Sequence, residues 1–172
     1  MVVSNLKTKI VYNDLISLKS SQFNTTRKKK IFSNYIYNKF LGVLVKKGKK
    51  SKVKKILDTV LVNVSKKTKK SINHILYAII YNLSTRIEIK KVKLRRGSFF
   101  VPFLISHSRQ IYLILKWIVT SIQNDKRKVS TIKKLSLEIF RIITKLPSGS
   151  LNAKNFNNSQ AYLNRSNTHF RW

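Results

Sequence analysis

From Asn34 onward the apolar side chains fall into repeating patterns that divide the chain into elements. Ile36, Phe40 and Leu44 recur at four-residue spacing on one helical face, and Gly48 stops that helix inside the loop KKGKKS. The clearest stripe follows in Val53, Ile56, Leu57, Val60, Leu61 and Val64. Lys52, Lys54 and Lys55 lie opposite it, and Ser51 is the expected N-cap. After the turn KKTKK, Ile72, Ile75, Leu76, Ile79, Ile80 and Leu83 repeat the stripe, so these two helices should pack together across a short basic turn. At Ile87 the period drops to two. Ile87, Ile89, Val92 and Leu94, then Val101, Phe103 and Ile105 beyond RRGS, predict a β-hairpin, and the slip at Lys90-Lys91 predicts a bulge. Pro102 inside the second strand predicts an edge position. Two strands alone are marginal in water, so the ribbon must lie against the helices or against a partner.

Helical spacing returns after His107 with Ile111, Ile114, Leu115, Ile118 and Ile122, and Asn124-Asp125 ends it; Trp117 reads as a core anchor of this helix. A further helix starts at Ser130, carries Ile132, Leu135, Ile139, Ile142, Ile143 and Leu146, and stops before Pro147. Beyond PSGS the chain is Asn- and Ser-rich with isolated aromatics, the pattern of a weak helix that orders only on docking. Before Asn34 no period is sustained, and the run SSQFNTTRKKK reads as an arm, with a short helix near Asp14. The expected fold is mainly α: a bundle of about five to six helices with a protruding β-hairpin arm between the third and fourth core helices. Residues 1–33 form the basic N-terminal arm, 34–146 the helical core with the hairpin at about 86–105, and 147–172 a C-terminal docking segment.

Charge changes the picture more than any motif. The 172 residues carry 37 Lys and Arg against 5 Asp and Glu, a formal net charge of +32. A compact domain with that self-repulsion calls for a polyanion, since each phosphate neutralised by a cation releases condensed counterions. Nucleic acid is the first candidate and an anionic membrane surface the second. Cysteine is absent, which excludes disulfides, thiolate zinc sites and Cys nucleophiles. No membrane span is expected, because the most apolar stretch, Phe99 to Ile122, is broken by His107, Arg109 and Lys116. No secretory signal is expected at the start either. Lys, Ile and Asn are abundant while Gly numbers 4, Pro 2 and Met 1, a usage biased toward AT-rich codons and familiar from organelle genomes and from some protists and parasites. Codon bias does not explain the scarcity of acids.

The five acids, Asp14, Asp58, Glu88, Asp125 and Glu138, are scattered, and His74, His107 and His169 form no cluster. No acid/base pair, metal site or phosphate loop follows, so neither enzyme activity nor a cofactor is expected. The chemistry lies in basic groups on turns and termini. The arm carries Arg27, Lys28, Lys29 and Lys30, and the first loop Lys46, Lys47, Lys49 and Lys50, with Lys52 just beyond. Lys69 and Lys70 close the second turn; Lys90, Lys91 and Lys93 lie on the hairpin, with Arg95 and Arg96 near its tip. Arg109 and Lys116 follow it, and Arg165, His169, Arg171 and Trp172 occupy the tail. Lysines suit phosphate contact without base specificity, whereas Arg95, Arg96 and Arg109 suit bidentate contacts. Shape and backbone should therefore dominate recognition, as in folded RNA.

Several strings resemble the small-subunit ribosomal protein S-seven family. NKFLGVLVKKGKKSKVKKIL is similar to that family's first helix, basic loop and second helix, through Lys39-Phe40 and Gly48-Lys49-Lys50-Ser51. Glu88, the tip arginines, Val101-Pro102, Arg109 and Lys116-Trp117 match in and after the hairpin. At the end Asn164, a basic residue, His169, an aromatic, Arg171 and Trp172 match as well. The resemblance runs from about Tyr35 to the C-terminus. It departs at LRRGSFF, where the family has an Arg-rich Gly-Gly turn, and at Asn167, which replaces an aromatic; the N-terminal arm matches nothing.

The resemblance implies a structural protein of the small-subunit head that binds the 3′ major domain of the small-subunit rRNA and nucleates head assembly. It implies a hairpin near the exit-site tRNA and the mRNA path, with the family numbered eleven among its neighbours. Residue bias points to a mitochondrial version ahead of a plastid one. Two other classes stand beside it. A free-standing regulator of DNA or mRNA needs a recognition helix with Asn, Gln or Arg outward, and the outer faces here are lysine and serine. A cationic membrane-surface protein needs an exposed apolar helix face, and these stripes have one another to pack against.

Overall fold

The computed structural model describes residues 22–94 and 97–170, with residues 22–30 and Leu94 described by backbone alone. The short helix expected near Asp14, the tip residues Arg95 and Arg96, and Arg171 and Trp172 lie outside the described residues.

The helices are α1 (Gln22–Leu44), α2 (Lys50–Thr68), α3 (Ile72–Leu83), α4 (His107–Asn124), α5 (Thr131–Thr144) and α6 (Gly149–Leu163), followed by a 3-10 turn, Arg165–Phe170. Strands β1 (Ile87–Leu94) and β2 (Gly97–Leu104) form an antiparallel hairpin between α3 and α4. The sequence stripes become the core. Ile36 and Phe40 of α1, Leu57 and Leu61 of α2, Ile75 and Ile79 of α3, Ile114 and Ile118 of α4, and Leu135 and Ile139 of α5 are buried in one cluster. Trp117 is half-buried against it.

Helix ends follow local chemistry. Ser71 accepts the His74 amide at the start of α3, and Ser148 accepts the Leu151 amide at the start of α6. Between α1 and α2, Lys47 and Gly48 both take positive φ (52° and 71°), the sharp reversal that glycine eases. Lys145, at φ 59°, closes α5: its amide donates to the Ile142 carbonyl and that of Leu146 to Arg141, before Pro147 bars continuation.

Four expectations need correction. Helix α1 starts at Gln22 rather than Asn34. Phe32 continues the four-residue spacing and packs on the core, but the buried Ser33 beside it is polar and the residues before Ile31 are polar and basic, so no apolar period marks the first turns of this helix. Ser51 lies inside the first turn of α2, and the N-cap is Lys49, without a side-chain hydrogen bond. Leu146 is exposed, one residue past the left-handed turn at Lys145.

The hairpin, finally, has no bulge. Its register is one-to-one from Ile87 opposite Leu104 to Leu94 opposite Gly97. The apolar set changes face because the root of the ribbon is covered on both sides: Val101 and Pro102, which point to opposite faces, are both buried. Helix α6 holds that root through the Asn157 side-chain amide, which donates to the Ile87 carbonyl at 2.8 Å, and through the Thr85 hydroxyl, which donates to Asn158 Oδ1 at 2.9 Å. Pro102 does sit on an edge, as both strands of a two-stranded ribbon must.

Candidate nucleic-acid interface

The first basic site forms where α1 turns into α2. Lys46, Lys47, Lys49, Lys50 and Lys52 are all exposed around the uncapped start of α2, whose first turn contains no acid. Free helix N–H groups and the positive end of the macrodipole already favour an anion there, and lysines at that end repel the dipole unless an anion joins them. The second site is at the far end of the same helix. Lys66, Lys67, Lys69 and Lys70 are exposed around a turn fixed by the Ser65 hydroxyl, which donates to the Lys70 carbonyl at 2.7 Å. At 1.5 Å rise per residue, α2 holds these groups about 25 Å apart. The two loops therefore address separate stretches of a polyanion.

The hairpin adds a third site. Lys90, Lys91 and Lys93 are exposed; the Lys90 ammonium lies 5.4 Å from the Phe103 ring centroid and that of Lys91 6.0 Å from Phe100. The 3-10 turn closes on the same ribbon, with Asn167 Nδ2 donating to the Phe100 carbonyl at 3.2 Å and Phe170 stacked on Phe99 at 5.2 Å between centroids. Asn167 thus ties the turn to β2 by a hydrogen bond. Arg165 is exposed over the Tyr162 ring, and His169 is exposed beside Phe170.

Arg109 is placed differently from a free phosphate ligand. Its Nε and Nη2 donate to the two carboxylate oxygens of Glu88 at 3.0 and 2.6 Å, tying β1 to the first turn of α4. The hydrogen bond from Arg109, more than its charge alone, holds the Glu88 carboxyl below its ordinary range. Lys116 is exposed one turn further than Tyr112, on the outer side of α4. The side chains of Arg27, Lys28, Lys29 and Lys30 are not described, but their backbone lies within α1.

A fourth basic group follows the end of α4. Lys126, Arg127 and Lys128, in NDKRK between α4 and α5, are exposed. The run of three cations was its signal. Arg127 pairs with Asp125 at 2.5 Å, and Lys134 Nζ donates to the Asp125 carbonyl at 2.7 Å.

The acids complete the electrostatics. Asp58 accepts the Tyr37 hydroxyl at 2.6 Å; burial first, and this bond second, push the Tyr37 phenol up to about 12. Glu138, buried, accepts from the Ser121 hydroxyl and from the Ser150 amide and hydroxyl at the start of α6. All four described acids thus accept hydrogen bonds from the chain itself, and among the residues with described side chains only Arg109 and Arg127 are ion-paired. Among the described residues, Lys154 is partly buried and donates to the Asn82 carbonyl at 2.7 Å, while the lysines of the two α2 loops and of the hairpin are exposed and have no acid paired with them. No group of three or more His, Cys, Asp or Glu side chains suited to a metal occurs among the described residues, and none of their helices is long and apolar enough to cross a membrane.

The family model described as Ribosomal protein S7p/S5e matches residues 16–165. The chain is 28% identical over 142 residues to a small ribosomal subunit protein uS7 of Petrotoga mobilis, covering 83% of this chain and 90% of that protein. It is 28% identical over 144 residues to the uS7 of Mycoplasmopsis synoviae, again with 83% and 90% coverage. It is also 26% identical over 142 residues to a protein named uS7m of Reclinomonas americana, covering 83% of this chain and 88% of that one.

Proposed function

Since the chain belongs to the Ribosomal protein S7p/S5e family, we propose that its outward cations bind small-subunit rRNA and organise the subunit head around a rigid helical core. It is a structural, non-enzymatic component of the small ribosomal subunit. The observation that supports the rRNA reading is the separation of charge: every described acid is hydrogen-bonded within the chain and none is paired with these lysines, while lysine clusters stand exposed at both ends of α2 and along the hairpin. Clusters about 25 Å apart on one rigid helix suit converging RNA segments better than a single duplex face.

The target we propose is the 3′ major domain of that rRNA, with the hairpin near the exit-site tRNA and the mRNA path and with the family numbered eleven among its protein neighbours. The three-part division assigned from sequence is proposed as a division of labour: arm and loops on RNA, core as scaffold, and residues 147–172 as a docking segment that also anchors the hairpin. The location proposed is the mitochondrial small subunit, ahead of a plastid one. Residue usage supports this, as does a relative named uS7m, although the other two relatives are bacterial.

Sedimentation tests the reading. The protein should travel with the small subunit of organelle ribosomes, and crosslinks should map to its rRNA. Replacing Arg95 and Arg96 together with Lys46, Lys47, Lys49 and Lys50 by Gln should block small-subunit assembly. Normal assembly with all six replaced would refute it.

A further inference from the structure

Phosphate contact accounts for the lysines of the hairpin but not for its rings. His169 and Phe170 lie 4.1 Å apart between ring centroids, and Phe170 and Phe99 5.2 Å apart, so three rings run from the C-terminal turn onto β2. Phe100, the next residue along the strand, points to the opposite face of the ribbon. Phe99 is 39% exposed and Phe100 48%, both large apolar surfaces on an element with little core of its own. The ring of Phe100 stands beside the Lys91 ammonium, and its backbone carbonyl is held by Asn167. Glu88, the one acid on the ribbon, sits at its root paired with Arg109, away from the rings.

Rings flanked by cations match one form of RNA better than another. A duplex spends its base faces on its own stack and offers phosphates and groove edges. An unpaired strand offers phosphates together with free π-faces, and such faces lie readily on aromatic side chains. We propose that the hairpin and the C-terminal turn form a stacking platform for unpaired bases of single-stranded RNA. One base lies on Phe100 with its phosphate near Lys91 and Lys93, and another extends the row of Phe99, Phe170 and His169. This rests on the RNA-binding reading above and adds the RNA structure this surface accepts.

The test uses the full chain with two probes, a single-stranded oligouridylate and a fully paired RNA duplex of equal phosphate count, with binding read by fluorescence anisotropy at fixed salt. Phe100→Ala should weaken binding of the single strand by roughly 5- to 150-fold, the range for one stacked base, and leave duplex binding unchanged. Phe100→Leu separates stacking from plain apolar contact. It should lose nearly as much as the alanine variant, whereas Phe100→Trp should retain the wild-type affinity. Phe99→Ala also removes the contact with Phe170, so Phe100, which packs less against the body, is the decisive position; circular dichroism of each variant checks the fold. Full affinity in Phe100→Leu would overturn the proposal in favour of an apolar protein contact. Equal losses on both probes, or none, would overturn it as well. Failure of the wild-type chain to bind either probe would instead strike the RNA-binding reading itself.

Discussion

Replacing Gly149 with alanine tests how tightly the C-terminal helix is seated. A Cβ at this position would overlap Ser121 Oγ and lie 3.0 Å from Ser121 Cβ, where α6 begins against α4. On propensity alone, alanine for glycine in a helix is stabilising. The contact reverses the sign. Relief requires the Ser121 hydroxyl to turn away, which breaks its 2.8 Å hydrogen bond to Glu138, and the remaining overlap strains the helix packing. Overpacking costs about 1–3 kcal/mol and a lost hydrogen bond about 1 kcal/mol. A net loss of roughly 2–3 kcal/mol corresponds to a fall in Tm of about 4–12 °C for a chain of this size.

Thermal and denaturant unfolding of Gly149→Ala, Ser121→Ala and the double variant would measure this. Ser121→Ala removes the nearest atom, so Gly149→Ala should cost at least about 1 kcal/mol less in that background. An equal cost in both backgrounds, or a stabilised single variant, would refute the reasoning. Because α6 also holds the hairpin root through Asn157, the single variant should speed amide exchange in β1.

Other outcomes follow from the same structure. Glu88→Gln should cost about 1 kcal/mol, a modest figure because Arg109 is partly solvated, and should loosen the hairpin in hydrogen exchange. The folded Glu88 carboxyl titrates below its unfolded value. Its contribution is therefore full above the unfolded range near pH 4–5 and fades as pH falls through the folded value. The stability gap between wild type and Glu88→Gln should close in acid, and a gap that widens there would contradict the pairing. Lys145→Gly should stabilise the chain by up to about 1 kcal/mol in chemical denaturation, since glycine takes the left-handed turn at φ 59° without strain.

Much of the fold was legible in the sequence, and what was not has identifiable causes. The stripes of α2, α3, α4 and α5 are unbroken because each buries one face in a common core, so period and structure coincide. The start of α1 was hidden because the apolar spacing ends at Phe32, beside the buried polar Ser33, and the residues before Ile31 have no period of their own. Helix α6 read as weak because its composition is neutral and polar; Ser148 and the buried Glu138 secure its start, and only the folded chain brings Glu138 there. A bulge is expected where the apolar set changes face, but in the regular ribbon Val101 and Pro102, on opposite faces, are both buried, so both faces carry apolar side chains without one.

The candidate interface divides in the same way. Lysine runs on turns declare themselves in sequence because turns are exposed, and the structure places those described on the surface. The engagement of Arg109 by Glu88 was not legible, since it spans 21 residues and depends on how the hairpin folds back on α4. The loop Lys126-Arg127-Lys128 is legible as a run of three cations directly after the Asp125 that ends α4, and Asp125 pairs with one of them. The tail NRSNTHFRW divides between the two: Asn167 and Phe170 dock on the protein's own hairpin, and Arg165 and His169 remain outward.

The most direct measurement is the salt dependence of binding between the full chain and small-subunit rRNA, for wild type and for the variant with Lys46, Lys47, Lys49 and Lys50 changed to Gln. With six to ten phosphates contacted, wild-type affinity should fall by about three to five decades between 50 and 200 mM salt. The variant's log–log slope should be shallower by about three to four, near one per lysine removed. A shallow wild-type slope, or a slope unchanged by removing the four lysines, would contradict the account.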